Sequence, residues 1–183
     1  MHNKGTVLLE TNRLILRKFD VEDYEKIFNN YCNDGRVAQY VTWNPHINSS
    51  ETKELVSMWV SRYDDLEFYH WQVALKENNE PIGSLAVVGI ERDLKEVELG
   101  YSLAYNYWNK GIMTEAVSKV IEFLFEDVQV NRVVARHDSR NIGSGKVMQK
   151  CGMQYYGSES GNNKGEDITL QLYAITREDY NNK

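Results

Sequence analysis

One stretch near the middle of the chain constrains the fold most, because its pattern changes from strand to helix across a short loop. Residues 97–103 alternate between apolar and polar side chains, which is typical of a strand. Beyond residue 116, apolar side chains recur at the spacing of a helix with one buried face. These side chains are Val117, Val120, Ile121, Leu124, Phe125 and Val128. A strand, a short loop and a helix therefore follow one another here.

The loop contains Lys110 and Gly111, and a loop of this kind can present backbone N–H groups to an anion. The first turn of a helix has N–H donors without intrahelical acceptors, and the helix dipole makes that end positive. A phosphate fits such a site, with Gly111 allowing close approach and Lys110 adding charge. The glycine spacings of a Walker loop and of G-x-G-x-x-G are absent, which disfavours a kinase or a nicotinamide enzyme.

Length and composition predict a single domain over residues 1–183, with 42% hydrophobic and 26% charged residues. The net charge of −6 gives no support to a nucleic-acid partner. The two cysteines do not suggest a disulfide framework, and no Cys or His pair has metal-ligand spacing. The sequence has neither a signal-peptide layout nor an apolar run of about 18 residues, so we expect a cytoplasmic protein without a membrane partner.

Periodicity along the rest of the chain predicts the order β, α, α, β, β, β, α, β, α, β, β. The first strand is expected at residues 13–17, the first helix after Asp20 as its cap, and the second helix from Ser49 or Ser50. The last two strands are expected near residues 154–156 and 168–174, with a turn at 160–165. A strand–helix–strand crossover inside a mostly antiparallel sheet makes this a mixed α+β fold.

Three blocks of sequence, in a fixed order, form a recognisable set. The first block is E-T-N-R-L-I-L-R at residues 10–17. The second comprises E-L-G-Y at 98–101, Y-W-N-K-G at 107–111 and T-E-A at 114–116. The third comprises N-I-G-S at 141–144 and K-C-G-M at 150–153. Together these blocks resemble the GNAT acetyltransferases, and in particular the branch that contains the ribosomal-protein N-terminal acetyltransferases. The resemblance implies a GNAT fold, with a mostly antiparallel sheet of about six or seven strands flanked by about four helices.

The same resemblance implies acetyl-CoA as co-substrate and a primary amine as acceptor, with direct transfer in a ternary complex and no metal. It places the pantetheine arm of CoA along the backbone of Tyr101 and Leu103, with Asn141 also holding it. The pyrophosphate would lie on the backbone N–H groups of Asn109, Lys110, Gly111, Ile112, Met113 and Thr114. Met113 stands where the wider family often has Gly or Ala, which a backbone site tolerates if the side chain points away.

Glu98 is the candidate general base, acting through water, with Glu159 and Glu166 as rivals. Strand alternation puts Glu98 opposite Leu99 unless a bulge in this strand re-aims it. Many GNAT enzymes use a helix tyrosine to protonate the leaving thiolate, but Met148 occupies that position here, which leaves Ser144 as the donor. The alternatives are that Glu98 is a solvated strand residue and that Ser144 only bonds to helix backbone.

The branch favours the α-amine of a protein N-terminus as acceptor, with Tyr40, Trp43 and Tyr155 as candidate acceptor contacts that could equally be packing residues. Amino acids, polyamines and antibiotics are alternative acceptors within the same resemblance. A catalytically silent acyl-CoA-binding module is a third possibility, favoured by the missing helix tyrosine. The sequence leaves open whether the protein is a monomer or pairs as a homodimer through an exposed edge strand.

Overall fold

An eight-stranded sheet forms the centre of the structure, a computed structural model that describes residues 1–182. The strands stand in the order β1-β2-β3-β4-β5-β6-β8-β7 across the sheet. Every neighbouring pair is antiparallel except β5 and β6, which run parallel. The strands are β1 (Leu9–Glu10), β2 (Leu14–Arg17), β3 (His70–Leu75), β4 (Pro81–Glu91), β5 (Glu96–Leu103), β6 (Arg132–Asp138), β7 (Gln154–Asn163) and β8 (Glu166–Thr176). The predicted α+β class is confirmed.

Two differences from the predicted strands have simple causes. The extra strand, β1, is only two residues long and pairs with β2 ahead of the predicted first strand. The turn predicted at residues 160–165 is wrong over 160–163, because β7 continues to Asn163 opposite Glu166. Lys164 and Gly165 alone make the turn, with φ of 55° and 84°, as a two-residue hairpin loop of type I′ requires.

Six α-helices accompany the sheet within residues 1–182. They are α1 (Tyr24–Ile27), α2 (Gly35–Ala38), α3 (Ser49–Val60), α4 (Ile112–Phe123), α5 (Ile142–Lys150) and α6 (Arg177–Asn181). The prediction of about four helices is low partly because the segment after Asp20 is not continuous. It consists of a 3-10 turn, Val21–Asp23, then α1, then a π-helical turn, Phe28–Cys32.

The predicted apolar stripe of α4 and of the π turn that follows it, Leu124–Val128, is buried throughout. Val117, Val120, Leu124, Phe125 and Val128 are fully buried, and Ile121 is 2% exposed. These side chains share one core with Leu14, Leu16, Val97 and Leu99 of the sheet. Because burying one large apolar side chain is worth about 1.5–3 kcal/mol, this stripe fixes α4 firmly on the sheet.

A second core separates the other face of the sheet from α1, α2 and α3. Ile27, Tyr31, Val37 and Val56 belong to it, together with Phe19 from the end of β2. Asn48 caps the start of α3, since its side-chain oxygen accepts the N–H of Glu51 at 3.2 Å. Helices therefore cover both faces, and the part of the sheet between β5 and β6 determines where a ligand can enter.

Strands β5 and β6 separate partway along their length. Their parallel pairing ends at Leu99 opposite Ala135, although β5 continues to Leu103 and β6 to Asp138. The N–H of Ala104 donates to the carbonyl of Ile82 in β4, and N–H groups alternate in direction along a strand. The backbone N–H groups of Tyr101 and Leu103 therefore face the gap, where no strand within residues 1–182 pairs with them. We call this gap the wedge.

Candidate active site

A cavity of about 520 Å³ lies at the wedge, between the end of β5 and the first turns of α4 and α5. Its lining includes most of the residues that the sequence predicted for binding acetyl-CoA and the acceptor. These are Tyr40, Tyr101, Leu103, Asn109, Gly111, Ile112, Met113, Thr114, Asn141 and Ser144. The lining thus comes from three segments that are distant in sequence, within residues 37–41, 101–114 and 140–150.

The loop before α4 adopts a conformation that exposes the helix N-terminus. Asn109 has φ of 60° and Gly111 has φ of 73°, and Gly111 is the N-cap residue directly before α4. Asn and Gly are the residues that tolerate this left-handed region best. The N–H of Glu115 binds the carbonyl of Gly111, so the N–H groups of Ile112, Met113 and Thr114 precede the first intrahelical bond. This end of α4 is suited to a phosphate group.

Side chains from outside the loop hold it in place. Arg13 Nη1 donates to the carbonyl of Lys110 at 3.0 Å, and the indole N–H of Trp108 donates to the carbonyl of Leu103 at 2.7 Å. The Lys110 side chain lies over the ring of Tyr107, 5.7 Å from its centroid, and is not part of the cavity lining. Met113 is 5% exposed and packs into the core, so its bulk leaves the backbone of the loop accessible.

The opposite wall of the cavity is the start of α5. Asn141 caps this helix, because its side-chain oxygen accepts the N–H of Ser144 at 3.2 Å. Ser144 Oγ lies 3.0 Å from the phenol oxygen of Tyr101 on β5, which joins the two walls. Met148, at the position where many relatives of this fold use tyrosine, is 1% exposed and belongs to the core. Ser144 is therefore the hydroxyl that α5 offers to the cavity.

Three basic residues that the sequence reading missed also line the cavity: Arg140, Lys146 and Lys150. Lys146 and Lys150 are four residues apart on α5 and so share one face of the helix. This spacing is the sequence feature from which a basic helix face could have been predicted. Arg140 binds the buried carboxylate of Asp138 at 2.6 Å and Glu166 at 2.8 Å. The hydrogen bond from Arg140 holds the pKa of Asp138 below its ordinary value. The charge of Arg140 is therefore balanced by two carboxylates, while Lys146 and Lys150 add positive charge that suits an anionic ligand.

Glu98 lies outside this cavity, on the other face of β5. It lines a separate groove of about 260 Å³ with Glu96 and Tyr156. Arg136 binds it with two hydrogen bonds, both 2.6 Å long, and also binds Glu159 at 2.8 Å. The bulge in this part of the sheet lies in β4, between Val87 and Gly89, so the possibility that a bulge in β5 re-aims Glu98 is wrong.

The candidate acceptor contacts are not all brought together. Tyr40 lines the cavity, next to α2. Trp43 packs against the second core, with its ring 6.0 Å from that of His46. Tyr155 is 53% exposed on β7, with its ring 5.7 Å from that of Tyr173. Trp43 and Tyr155 are absent from the cavity lining, and their contact with an acceptor stays a prediction.

Within residues 1–182, no cluster of three or more His, Cys, Asp or Glu side chains is arranged to hold a metal ion. The helices of the same residues are too short or too polar for any of them to cross a membrane.

A parallel strand pair that opens into a wedge, with a helix N-terminus and basic residues at its mouth, defines a site for a phosphorylated ligand with an extended arm. The model of the acetyltransferase (GNAT) domain family matches residues 13–154. The chain belongs to this family, and the GNAT fold implied by the sequence is confirmed. It is an N-acetyltransferase that uses acetyl-CoA as donor.

Individual proteins agree with this family assignment. The chain is 28% identical over 174 residues to the uncharacterised N-acetyltransferase p20 of Bacillus licheniformis, which covers 94% of this chain and 97% of that protein. It is 23% identical over 163 residues to the [ribosomal protein uS5]-alanine N-acetyltransferase of Escherichia coli K12, covering 85% and 82% of the two chains. The solved structure of RimL, a ribosomal L7/L12 α-N-protein acetyltransferase in complex with coenzyme A, superposes with a TM-score of 0.82 at 18% identity, over 93% of this chain and 98% of that one.

Proposed function

We propose that this enzyme transfers the acetyl group of acetyl-CoA to the α-amine of a protein N-terminus, by direct attack of the amine in a ternary complex. The similarity to the uS5-alanine enzyme and to RimL supports this class of acceptor. The physical support comes from the placement of the donor, from the carboxylates available as bases and from the boundaries of the acceptor side.

The donor lies across the wedge. Its pyrophosphate binds the N–H groups of Ile112, Met113 and Thr114 at the positive end of α4, while Lys146 and Lys150 lie on the facing wall. Its pantetheine arm pairs with the backbone of Tyr101 and Leu103, which faces the gap as a neighbouring strand would. The thioester then reaches the point where β5 and β6 separate, and a β5 N–H group stabilises the oxyanion that forms during attack.

The ion pairs of the candidate carboxylates support an α-amine as the acceptor. All three candidate bases are bound by arginine: Glu98 and Glu159 by Arg136, and Glu166 by Arg140. Because each of these carboxylates already accepts a hydrogen bond from a guanidinium group, we expect the site to favour an amine that is already partly neutral. An α-amine, with a pKa of about 7.7–8.0, is neutral in roughly one molecule in six to one in eleven at pH 7, whereas a lysine side chain is neutral in about one in 2,500.

Glu98 remains our candidate for taking up the remaining proton through water, since it lies on β5 directly before the wedge opens. Ser144 donates a hydrogen bond to the sulfur as the carbon–sulfur bond breaks. The amide nitrogen loses one proton and the CoA thiol gains one, so the transfer consumes no other reagent. These roles place the base and the donor on opposite sides of the reacting carbon.

The β7–β8 hairpin bounds the acceptor side of the cavity. Lys164 at its turn donates to the carbonyl of Ala38 at 2.6 Å, and Glu166 binds Arg140. Val37 and Tyr40, on either side of Ala38, line the cavity. The hairpin is thus tied at two places beside the opening. We expect the N-terminus of the acceptor to enter through the passage between this hairpin and residues 37–40.

A free small-molecule amine is the second candidate acceptor, because the same passage also admits it. Purified protein is mixed with acetyl-CoA and single amines, and free thiol is measured over time. The panel contains peptides that begin with Ala or Ser, the same peptides with a formylated N-terminus, polyamines and amino acids. We expect thiol release with the unblocked peptides and none with the formylated ones. Turnover only with polyamines or amino acids would replace the protein acceptor with a small molecule.

The catalytically silent module is tested in the same assay. Tight binding of acetyl-CoA without release of the CoA thiol in the presence of any amine would favour the hypothesis of a silent binding module. Glu98→Gln and Ser144→Ala are expected to slow turnover while leaving acetyl-CoA affinity unchanged. Full activity in Glu98→Gln would remove Glu98 from the proposed mechanism without affecting the choice of acceptor.

A further inference from the structure

The side chain of Tyr101 makes a contact that the proposed reaction does not yet use. Its phenol oxygen lies 3.0 Å from Ser144 Oγ and 3.1 Å from the backbone carbonyl of Ser144. The two residues come from different walls of the wedge, β5 and α5, and both line the cavity. Burial raises the pKa of Tyr101, so the phenol keeps its proton at neutral pH and can act as a hydrogen-bond donor.

The two hydroxyl groups can share their protons in two ways, because each is both a donor and an acceptor. If Tyr101 donates to the carbonyl, the Ser144 hydroxyl can donate to Tyr101, and it then presents only a lone pair to the cavity. If Tyr101 donates to Ser144 Oγ, the serine proton must point elsewhere. Because Ser144 lines the cavity, the second arrangement leaves its O–H able to donate to a ligand there.

We propose that Tyr101 is a positioning residue that turns the Ser144 hydroxyl towards the sulfur of acetyl-CoA. The inference rests on the proposed function, in which Ser144 acts on the leaving group. As the carbon–sulfur bond breaks, its electron pair stays on sulfur, and the serine O–H binds that developing negative charge. Tyr101 strengthens this bond by donating to the same oxygen, because hydrogen bonds in a chain polarise one another. Tyr101 thereby contributes to stabilising the leaving thiolate, the role that a tyrosine has in many relatives at the position of Met148 on α5.

The variant Tyr101→Phe tests this directly, since it keeps the ring in the core and removes only the hydroxyl. We expect kcat to fall about tenfold with the KM for acetyl-CoA unchanged, as the loss of one hydrogen bond in the transition state predicts. Ser144→Ala should also reduce kcat, and Tyr101→Phe should cause no further loss when added to it. Tyr69→Phe is the matched control: Tyr69 is a buried tyrosine of the same core whose hydroxyl accepts the N–H of Lys4, and it lies outside the cavity lining.

Independent, multiplying losses in the double variant would overturn the proposal, since they are the result expected if Tyr101 only packs. So would an unchanged kcat in Tyr101→Phe.

A second measurement needs no acceptor and separates this inference from the proposed function. The thiol of bound CoA is titrated by the ultraviolet absorption of its thiolate. We expect the pKa of that thiol to be about one unit higher in Tyr101→Phe and in Ser144→Ala than in the unaltered protein, which corresponds to about a tenfold weaker stabilisation of the thiolate. Equal values in all three proteins would overturn the role of Tyr101, even if the acceptor is correct. A shift without turnover of any amine would support the pair and contradict the acceptor.

Discussion

Arg13 binds Glu115 through both its backbone and its side chain. The N–H of Arg13 donates to Oε1 of Glu115 at 2.9 Å, and Nε donates to Oε2 at 2.7 Å. Thr11 donates to the same carboxylate at 2.5 Å. Desolvation opposes the charged form of Glu115, but these hydrogen bonds outweigh it and lower the pKa of the carboxyl group. The contact joins the start of β2 to the first turn of α4, next to the loop that Arg13 also holds at Lys110.

Replacing Glu115 should therefore weaken the binding of acetyl-CoA indirectly, through the loop that Arg13 supports. In Glu115→Gln the charge is lost, Arg13 is released and the loop at residues 109–111 loses its support. We expect about a tenfold higher Kd by calorimetry, in keeping with the loss of a charge-assisted hydrogen bond. The control is Glu122→Gln, which removes an exposed carboxylate of the same helix that pairs with Lys119. An equal Kd in Glu115→Gln and in the unaltered protein would contradict a role for this contact.

The close contact between Gly145 and His137 gives a second prediction. A Cβ atom at Gly145 would lie 2.7 Å from His137 Nε2, whereas one at Gly143 would meet nothing nearer than Asn141 Oδ1 at 3.7 Å. Gly145→Ala should therefore push α5 outwards and displace Ser144. We expect a loss of about 1–3 kcal/mol in the free energy of unfolding and a lower kcat. Gly143→Ala should not reduce either, because Ala favours the helix at both positions and only Gly145 faces His137. An equal loss in the two variants would contradict the role of the His137 contact.

The buried imidazole of His70 predicts how stability changes with pH. Burial lowers the pKa of His70 to about 3, and its ring Nε2 lies 2.7 Å from Ser84 Oγ. Below pH 6.5 His70 is protonated in the unfolded chain but stays neutral in the folded protein. The stability that comes from a neutral His70 is therefore lost as the pH falls from 6.5 towards 3.

Between pH 7 and pH 5 the free energy of unfolding should fall by about 2 kcal/mol because of His70 alone. The double variant His70→Phe with Ser84→Ala removes the titrating group together with its partner. Denaturant titration of both proteins at the two pH values measures the difference. If the variant loses as much stability on acidification as the unaltered protein, His70 is not the group responsible.

Lys164 predicts an effect on the acceptor alone. Lys164→Met removes the hydrogen bond from the hairpin turn to Ala38 and loosens the acceptor side of the cavity. We expect the KM for a peptide acceptor to rise about threefold or more, while the Kd of acetyl-CoA stays the same, because a single hydrogen bond is worth about 0.5–1.5 kcal/mol. Lys76→Met, which breaks an exposed pair with Glu10, is the control. Weaker acetyl-CoA binding in Lys164→Met would assign the hairpin to the donor instead.

Periodicity was sufficient for the parts of the fold that bury a regular stripe. The apolar residues of α4 repeat over more than three turns, so the helix and its buried face followed directly. The same rule failed for residues 160–163, because this part of β7 is largely exposed and contains Ser, Gly and Asn, which carry no strand signal. It failed again after Asp20, where the helical pattern does not show the 3-10 and π turns that divide the segment.

The candidate site also has parts that the sequence predicts and parts that it does not. The loop at residues 109–111 and the cap at Asn141 have local signals that a sequence displays. The contacts of Arg13 with Glu115 and of Tyr101 with Ser144 join residues 102 and 43 positions apart, and no local pattern encodes them. Arg136 changes the expected chemistry of Glu98 in the same way, from a neighbouring strand. Long-range pairing of side chains therefore required the structure.

The location of the acetyl group on a peptide that carries two amines tests the central claim most directly. A peptide that begins with Ala and contains one internal lysine is incubated with the enzyme and acetyl-CoA, and fragmentation by mass spectrometry locates the product. We predict acetylation of the α-amine, with the lysine unmodified. Acetylation of the lysine, or an unmodified peptide under conditions in which a polyamine is acetylated, would contradict the account.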